Sequence, residues 1–469
     1  MSDTKQDENE PRSDVWEKDR RHVLHPYQHF ASFDEEGALV MRRGTGCYIT
    51  DENGKEYFDA VGGMWCTNIG LGREEMADVI AEQVRKMAYA NPFVDMTNPP
   101  AARLAARLAD LAPGDLNHVA FSSGGSTAND LAYRIIRMYQ NARGKHDKRH
   151  LLTRADAYHG ATYLAASLGG KPGDRISEFD FITDWIHHLS SPNYYRAPAH
   201  IGSEAEFCDY LLEEMERKIL DIGADNIAAF YAEPIMGSGG VIVPPLDYNR
   251  RTWELCRRHD ILYVADEVVT AFGRLGYWFV SEDKYGIVPD IITCAKGLSS
   301  GYLPLGATIF SDRIYDTIAA DEERYFAAGF TYSAHPVCCA AALRNIEIIE
   351  REKLFDNVNA VGPYFEAQLR TLLDLPIVGD IRGEKFMMCV VNVQDKDTRE
   401  FFPPDIDIGK RISNHAEDLG LIVRPIVDLN VMSPPLTMTR DDVDFVVATL
   451  RKSIERTMED LRAQGLWQG

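Results

Sequence analysis

Three features that would place the chain in a familiar class are missing from its sequence. Its eight cysteines have no CxxC spacing, no apolar run is long enough to cross a bilayer, and basic residues are not in excess. Lysine and arginine number 50 against 72 aspartates and glutamates, a formal net charge of -22. Such an acidic surface repels nucleic acid phosphates. We therefore expect a cytoplasmic protein with reduced core thiols that binds neither nucleic acid nor membrane nor a metal ion.

The N-terminus lacks the apolar core of a secretory signal. Residues 1–21 are rich in alternating acidic and basic side chains and are predicted to form a polar, frayed arm. Further on, Asn53-Gly54 separates residues 46–50 from residues 56–58, and Asn-Gly between alternating segments predicts a β-hairpin.

Beyond Gly72, helical patterns alternate with short apolar runs that are typical of strands buried on both faces. The runs are residues 119–121, 227–232, 261–265, 291–295 and 307–310. Residues 248–259 have the pattern of the helix that must connect two parallel strands. The sequence therefore predicts an α/β domain with a mostly parallel sheet between helices.

The last part of the chain has a different pattern, in which a long helix at 441–464 follows short strands around 378, 388–393 and 421–424. This mixture predicts a smaller α+β domain. We expect residues 1–70 to form an N-terminal arm and hairpin that belong partly to the small domain. Residues 71–338 would form the large domain and residues 339–469 the C-terminal small domain.

Two charged side chains follow two of the predicted buried strands. Asp266 ends the run Tyr263-Val264-Ala265-Asp266, and Lys296 follows Ile291-Ile292-Thr293-Cys294-Ala295. Ligands bind at the carboxyl ends of strands in open parallel sheets, and one strand-helix-strand unit separates the two residues. An isolated acid there is usually an N-cap, and an isolated lysine usually extends into water. Together they indicate a site in which a desolvated lysine attacks a carbonyl.

A third segment, residues 121–130, is a strand end and a Gly-rich turn that leads into a helix. The free amides of a helix N-terminus bind phosphate. The segment matches neither GxxxxGK[ST] nor GxGxxG, so nucleotide binding is not supported, and a plain N-cap turn is the alternative.

These motifs, in this order and spacing, resemble the class III aminotransferases, and especially the ω-transaminase group, of pyridoxal 5'-phosphate (PLP) fold type I. The resemblance covers nearly the whole chain. Its most specific motifs are Ala265-Asp266-Glu267-Val268, Ala271-Phe272-Gly273-Arg274, Ala295-Lys296-Gly297-Leu298 and Gly329-Phe330-Thr331-Tyr332-Ser333-Ala334-His335-Pro336. The implied fold has a large domain, with a seven-stranded type of sheet, and a smaller α+β domain.

The resemblance implies roles for three charged residues. Lys296 would hold PLP as a Schiff base and transfer protons during the reaction. Asp266 would bind the protonated pyridine nitrogen, which keeps the ring an effective electron sink. Glu233 would support the hydrogen-bond network of Asp266 without contacting the cofactor itself.

The resemblance also implies the remaining contacts to PLP. Tyr158 would stack on one face of the ring and Val268 would cover the other. The phosphate would be bound by Gly125 and Ser126 of one subunit and by Thr331 of its neighbour. Such a shared site implies a homodimer, and whether dimers pair into tetramers stays open.

The family's turn usually has the sequence Ser-Gly-Ser-Glu-Ala-Asn, whereas this chain has Gly124 and Thr127 at the first and fourth of those positions. A hydroxyl and a carboxylate are lost, but the backbone amides survive. Phosphate affinity is therefore expected to differ from that of the family, while binding by the amides is retained.

Residues that line the family's substrate pocket align with Tyr27, Trp65 and Phe93, and Tyr158 borders them, so the walls are expected to favour apolar or aryl groups. Arg424 aligns with an arginine that binds a substrate carboxylate. A strand-end arginine paired with a surface acid is the alternative.

The implied activity is transfer of an amino group from an amine or ω-amino acid to a keto acid such as pyruvate, in a ping-pong cycle with aldimine and ketimine intermediates. Other fold type I enzymes, such as a dialkylglycine decarboxylase or an aminomutase, share the Asp-Lys pair. A PLP-binding regulator and a nicotinamide oxidoreductase are alternatives from other classes. The first usually has a DNA-binding module and the second a glycine fingerprint, and neither is found here.

Overall fold

The computed structural model describes residues 13–93 and 95–468, so residues 1–12 of the predicted arm lie outside the described part. Where it is described, the arm is not frayed, because it forms helix α1 (Asp14–His22). Ser13 caps this helix by accepting a hydrogen bond of 3.1 Å from the Trp16 amide. Trp16 is buried over Gly37, where a Cβ atom would lie 2.3 Å from its ring, and this contact holds α1 against the end of α2 (Phe30–Glu36).

The predicted hairpin is confirmed. Strands β1 (Met41–Thr45), β2 (Tyr48–Asp51) and β3 (Glu56–Asp59) are antiparallel neighbours, and Tyr48 lies opposite Phe58. Asp51 closes the turn, since its Oδ1 accepts hydrogen bonds of 3.0 and 2.9 Å from the amides of Asn53 and Lys55.

A seven-stranded sheet forms the middle of the molecule, in the order β4-β10-β9-β8-β7-β5-β6. Its strands are β4 (His118–Ser122), β5 (His150–Arg154), β6 (Ile186–Leu189), β7 (Ile227–Ala232), β8 (Leu262–Asp266), β9 (Ile291–Cys294) and β10 (Gly306–Phe310). The helices in this part of the chain are α3 (Gly62–Trp65), α4 (Glu74–Met87), α5 (Pro99–Leu111), α6 (Gly125–Ala142), α7 (Tyr163–Leu168), α8 (Glu204–Ile222), α9 (Tyr248–Arg258), α10 (Val280–Tyr285) and α11 (Asp312–Ala319).

The apolar runs form β4, β7, β8, β9 and β10, as predicted, and all residues of β7 and β8 are buried. Helix α9 connects these two parallel strands. In this sheet β10 runs opposite to the other six strands, because the short connection from β9 leaves no room for a crossover. Strands β5 and β6 were not predicted, since their sequences HLLTR and IHHL mix polar with apolar residues.

The C-terminal part adds α12 (Pro336–Arg351), α13 (Leu354–Arg370), α14 (Ile408–Asp418) and α15 (Arg440–Ala463). Its strands are β11 (Val378–Glu384), β12 (Met387–Asn392), β13 (Leu421–Ile422), β14 (Arg424–Ile426) and β15 (Leu429–Met432). The single strand predicted at 421–424 is two strands in different sheets. β13 pairs with β3, whereas β14 is the edge strand beside β15. Pro425 fits an edge strand, where no partner needs its missing amide proton.

The pairing of β13 with β3 joins the N-terminal hairpin to the C-terminal part. The domain boundaries at residues 70/71 and 338/339 stay a prediction. All eight cysteines are free and all but Cys66 are buried, as expected for core thiols. Among the helices of the described residues, none combines the length and apolar composition that a bilayer span requires.

The pair His150 and His187 joins the edge strand β6 to its neighbour β5. Nδ1 of His150 lies 2.8 Å from Nε2 of His187, and the rings are stacked with centroids 5.1 Å apart. Burial lowers the pKa of both histidines; the charge of Arg149 adds to this for His150, and those of His150, Lys218 and His188 for His187. One ring donates and the other accepts, so the pair requires at least one neutral imidazole.

We expect this pair to weaken the fold in mild acid. Histidines of the unfolded chain take up protons below about pH 6.5, whereas the folded pair resists protonation, so stability present at neutral pH is lost as the pH falls through that value. Urea unfolding at pH 7.5 and 5.5 should show a smaller loss for His187→Gln than for the wild type. His146→Gln, at an exposed position, is the control. Equal losses in both variants would contradict this expectation.

Candidate active site

A cavity of about 850 Å³ opens at the carboxyl ends of β8 and β9. All but two of the predicted site residues line it. These are Tyr27, Trp65, Gly125, Ser126, Tyr158, Glu233, Asp266, Val268, Lys296 and Arg424.

Asp266 is the last residue of β8 and is nearly inaccessible to solvent. Its Oδ2 accepts hydrogen bonds from Nδ1 of His159 (2.7 Å) and Nδ2 of Asn129 (2.9 Å). Its Oδ1 accepts a bond of 3.1 Å from the Val268 amide. Three donors therefore fix the carboxylate as an acceptor, and Oδ1 keeps a lone pair for a further donor in the cavity.

Lys296 lies two residues beyond the end of β9, in a short 3-10 turn. Its φ of 42° is in the left-handed region, a conformation that costs free energy in a residue other than glycine. Nζ lies 5.4 Å from the centre of the Trp65 ring. Burial lowers the pKa of the Lys296 amine, against the opposing charges of Asp266 and Glu233. A greater share of the amine is therefore neutral and nucleophilic than in water.

The N-terminus of α6 is shaped to bind an anion. Its first amides, from Gly125 onward, have no acceptor within the helix. The turn is held by hydroxyls, because Ser122 and Thr127 both donate to the Gly124 carbonyl, at 3.1 and 2.9 Å. Thr127, a departure from the family's usual sequence, thus stabilises the turn. Ser126 Oγ accepts a bond of 3.0 Å from the amide of residue 161.

Glycine is required at two positions beside this turn. A Cβ atom on Gly125 would lie 2.9 Å from a methyl group of Val268. Gly160 has a φ of +136°, and its Cβ atom would lie 2.4 Å from Ser126 Oγ. The two glycines therefore let the turn pack closely against Val268 and against the segment that carries Gly160.

Glu233 contacts backbone amides rather than Asp266. Its two oxygens accept hydrogen bonds from the amides of Tyr158 (3.0 Å) and Gly237 (2.9 Å). Burial raises the pKa of this carboxyl group. Glu233 therefore anchors the segment that carries Tyr158, and also Gly237, which packs against Trp65.

Arg424 lies at the start of β14, where the chain passes from one sheet to another. Its Nη1 contacts the Met64 sulfur, and its Cζ is 5.9 Å from the Trp65 ring centre. Among the described residues no carboxylate forms an ion pair with Arg424, in contrast to the alternative of a surface pair. Tyr27 lies at the cavity mouth and donates a bond of 3.2 Å to Asp174.

Phe93 and Thr331 do not line this cavity. Both are exposed, and the Thr331 carbonyl accepts a hydrogen bond of 2.9 Å from Tyr89. The Phe93 ring lies 3.4 Å from the position that a Cβ atom on Gly329 would take. The two residues thus share one surface patch, apart from the site of their own chain.

Sequence reasoning missed two residues that hold Asp266. His159 follows the predicted site residue Tyr158, and Asn129 belongs to residues 121–130, the segment predicted to bind phosphate. Their contacts with Asp266 join segments distant along the chain, and no spacing within the sequence could indicate them.

The residues present fit PLP. An amine of lowered pKa, a carboxylate that accepts a hydrogen bond, and free helix amides match the aldehyde, the ring nitrogen and the phosphate of that cofactor. Val268 and Tyr158 both line the cavity, and an apolar and an aromatic side chain suit the faces of a planar ring.

The family model for "Aminotransferase class-III" matches residues 31–454. The putrescine–pyruvate aminotransferase of Pseudomonas aeruginosa is 39% identical over 439 residues, which cover 93% of this chain and 95% of that protein. The structure of an (S)-enantioselective ω-transaminase from Thermomicrobium roseum is 40% identical, with a TM-score of 0.91 and coverage of 95% and 98%. The structure of the ω-transaminase of Pseudomonas jessenii in complex with PMP, the amino form of the cofactor, is 34% identical, with a TM-score of 0.92. The match covers 95% of this chain and 99% of that one. The chain therefore belongs to the class III aminotransferases, which makes it a PLP-dependent transaminase of fold type I.

Proposed function

We propose that this protein is an ω-transaminase that transfers an amino group from an amine or ω-amino acid to a keto acid such as pyruvate. The observation that supports this most is the position of Arg424, a cation without an ion-pair partner among the described residues, beside Trp65 in the cavity that contains Lys296 and Asp266. The names of the relatives, an amine–pyruvate aminotransferase and two ω-transaminases, support the same activity.

Each side chain of the site has a role in this reaction. Bound PLP supplies an aldehyde that condenses with amines and a pyridinium ring that draws electrons from the neighbouring carbon. Lys296 would tether the cofactor, and its amine, of lowered pKa, would take the proton from the substrate carbon. Asp266 would accept a hydrogen bond from the protonated ring nitrogen. The amides of Gly125 and Ser126 bind the phosphate.

The walls of the cavity select the two substrates. Trp65 and Tyr158 provide aromatic surface for the apolar part of an amine, and Tyr27 narrows the mouth. Arg424 binds the carboxylate of the keto acid by a charge-assisted contact. One pocket can thus hold an apolar amine and an anionic acceptor in turn.

Product analysis tests this proposal. Purified enzyme given a panel of amines should form alanine from pyruvate in equal amounts with the carbonyl product of each accepted amine. Release of CO₂ from a dialkyl amino acid would favour the decarboxylase alternative. Migration of an amino group within one substrate, without any acceptor, would favour an aminomutase.

We expect Arg424→Ala to raise the KM for pyruvate roughly 10- to 100-fold, because a hydrogen-bonded contact to a charged group is lost. The half-reaction with an uncharged donor such as 1-phenylethylamine should change little. Stopped-flow measurement of each half-reaction separates the two effects. Arg462→Ala, which removes another arginine stacked on a tryptophan, is the control. Equal losses in both half-reactions would make Arg424 structural, and no loss in either would place carboxylate recognition elsewhere.

The proposed assembly is a homodimer with shared sites, in which Thr331 of one subunit reaches the phosphate of the other. The surface patch around Phe93 and Thr331 supports it, because Tyr332 is 64% exposed there, and Tyr325, six residues before Thr331, is 81% exposed. Exposed aromatic side chains in such number are typical of interfaces. Light scattering coupled to size-exclusion chromatography measures the molar mass of the assembly directly. The mass of a monomer at micromolar concentration would contradict the proposal.

A further inference from the structure

Asn129 occupies a fully buried position one turn inside α6 and contacts three other segments of the site. Its Oδ1 accepts a hydrogen bond of 3.0 Å from the Thr293 hydroxyl on β9. Its Nδ2 donates to the His159 carbonyl at 2.7 Å and to Asp266 Oδ2 at 2.9 Å. Every hydrogen-bonding group of this amide is therefore used inside the protein.

Only one orientation of this amide is compatible with its surroundings. The reverse orientation would direct Oδ1 at the His159 carbonyl and the Asp266 carboxylate, and both of these are acceptors. The Thr293 hydroxyl lies on the opposite side and donates to Oδ1, which favours the observed orientation. Thr293 is also the β9 partner of Asp266 in the sheet register, so β8 and β9 fix the distance between the two contacts.

The same amide also holds the backbone of His159, the other residue whose side chain donates to Asp266 Oδ2. Asn129 binds the backbone carbonyl of His159, while the ring of His159 donates from Nδ1 to Asp266 at 2.7 Å. On the far side of the ring, Nε2 lies 3.4 Å from the Thr153 hydroxyl, which itself donates to the carbonyl of residue 168. His159 and Asn129 thus both donate to Oδ2 of Asp266. The side chain of His159 is held by Thr153, and that of Asn129 by Thr293.

We propose that Asn129 is a positioning residue, oriented by Thr293, that keeps Asp266 directed at the ring nitrogen of the cofactor. Its side chain also connects the helix whose N-terminus would bind the phosphate with the strand end that would bind the ring nitrogen. A buried carboxylate that loses one of three donors is held less firmly in its direction. Removing the Asn129 contact should therefore weaken recognition of the ring nitrogen and leave recognition of the phosphate intact. This role does not depend on which amine the enzyme uses.

Binding of two cofactor forms by the apoenzyme tests the proposal without any turnover. PLP has the ring nitrogen, whereas its 1-deaza analogue has carbon at that position and keeps the aldehyde and phosphate. The ratio of their dissociation constants measures recognition of the ring nitrogen alone. Fluorescence titration of the full-length apoenzyme gives both constants.

The most informative variants are at Thr293, because valine has nearly the shape of threonine and the fold should survive. We expect Thr293→Val to reduce the preference for PLP over the analogue roughly tenfold, whereas Thr293→Ser, which restores the hydroxyl, should stay within about twofold of the wild type. Asn129→Ala should reduce the preference at least as much. Ser126→Ala serves as the matched control, since it alters the phosphate turn and should affect both affinities equally.

Two outcomes would overturn the proposal. A wild-type preference in Thr293→Val would show that the hydroxyl does not orient the amide for Asp266. An equal loss of affinity for both cofactor forms in Thr293→Val and Asn129→Ala would show that these residues only support the fold. Thermal unfolding of each apoenzyme identifies a variant that has lost its structure. Among the folded variants, the preference for PLP in Thr293→Val compared with that in Thr293→Ser shows whether the hydroxyl orients Asn129.

Discussion

Lys296→Ala should abolish transamination and leave a folded protein, with turnover at least about a thousandfold below the wild type. The amine of Lys296 has two tasks, as tether and as proton carrier, and it is positioned for both at the end of β9. Among the described residues that line the cavity there is no second lysine. His159 cannot replace it, because its Nδ1 is bonded to Asp266.

Two measurements separate this effect from simple loss of the cofactor. Alanine formation from pyruvate at saturating PLP reports turnover, and mass spectrometry after borohydride reduction reports covalent attachment. Wild-type protein should gain the mass of the cofactor, and Lys296→Ala should not. Lys410→Ala, which removes a surface ion pair with Glu36, controls for loss of a positive charge. Turnover of Lys296→Ala near the wild-type level would refute the assignment of the catalytic lysine.

Strands β7, β8 and β9 at the middle of the sheet were predictable because they are almost entirely apolar. Such runs can only be stable when both faces are covered, and this requirement fixes the parallel α/β arrangement. Strands β5 and β6 escaped prediction, since His150 and His187 bond to each other at the sheet edge and interrupt the apolar pattern. The division of residues 421–426 into β13 and β14 was not predicted. It depends on the pairing of β13 with β3 and of β14 with β15, which exists only in the folded chain.

Those site residues were predictable whose place follows from the order of the strands along the chain. Asp266 and Lys296 follow adjacent parallel strands, so they must reach the same edge of the sheet. Asn129 and Thr293 could not be found in this way, because a buried polar residue within an apolar pattern has no partner that the sequence reveals. Thr331 stays a prediction for a different reason, which is that the single chain does not contain the neighbouring subunit.

Asp266→Asn should lower the rate of the amine half-reaction roughly a hundred- to ten-thousand-fold while PLP still binds covalently to Lys296. The amide has the shape of the carboxylate but lacks its charge, so the ring nitrogen loses the partner that retains its proton. The amide oxygen can still accept hydrogen bonds from Nδ1 of His159 and Nδ2 of Asn129, but the NH2 group that replaces Oδ1 then meets the amide of Val268, which is also a donor. The substitution therefore disturbs the network as well as the charge.

The matched control is Asp290→Asn, at the opposite end of the same pair of strands. Asp290 is also partly buried, accepts a hydrogen bond of 2.7 Å from the Tyr263 amide and forms an ion pair with Arg313. Its loss should lower the free energy of unfolding and leave the half-reaction rate within about twofold of the wild type, since the substitution is distant from the cavity. Single-turnover absorbance at saturating PLP compares the two variants at equal occupancy. If Asp266→Asn reacted as fast as Asp290→Asn, the ring nitrogen would have another partner, and the three donors around Asp266 would serve the fold alone.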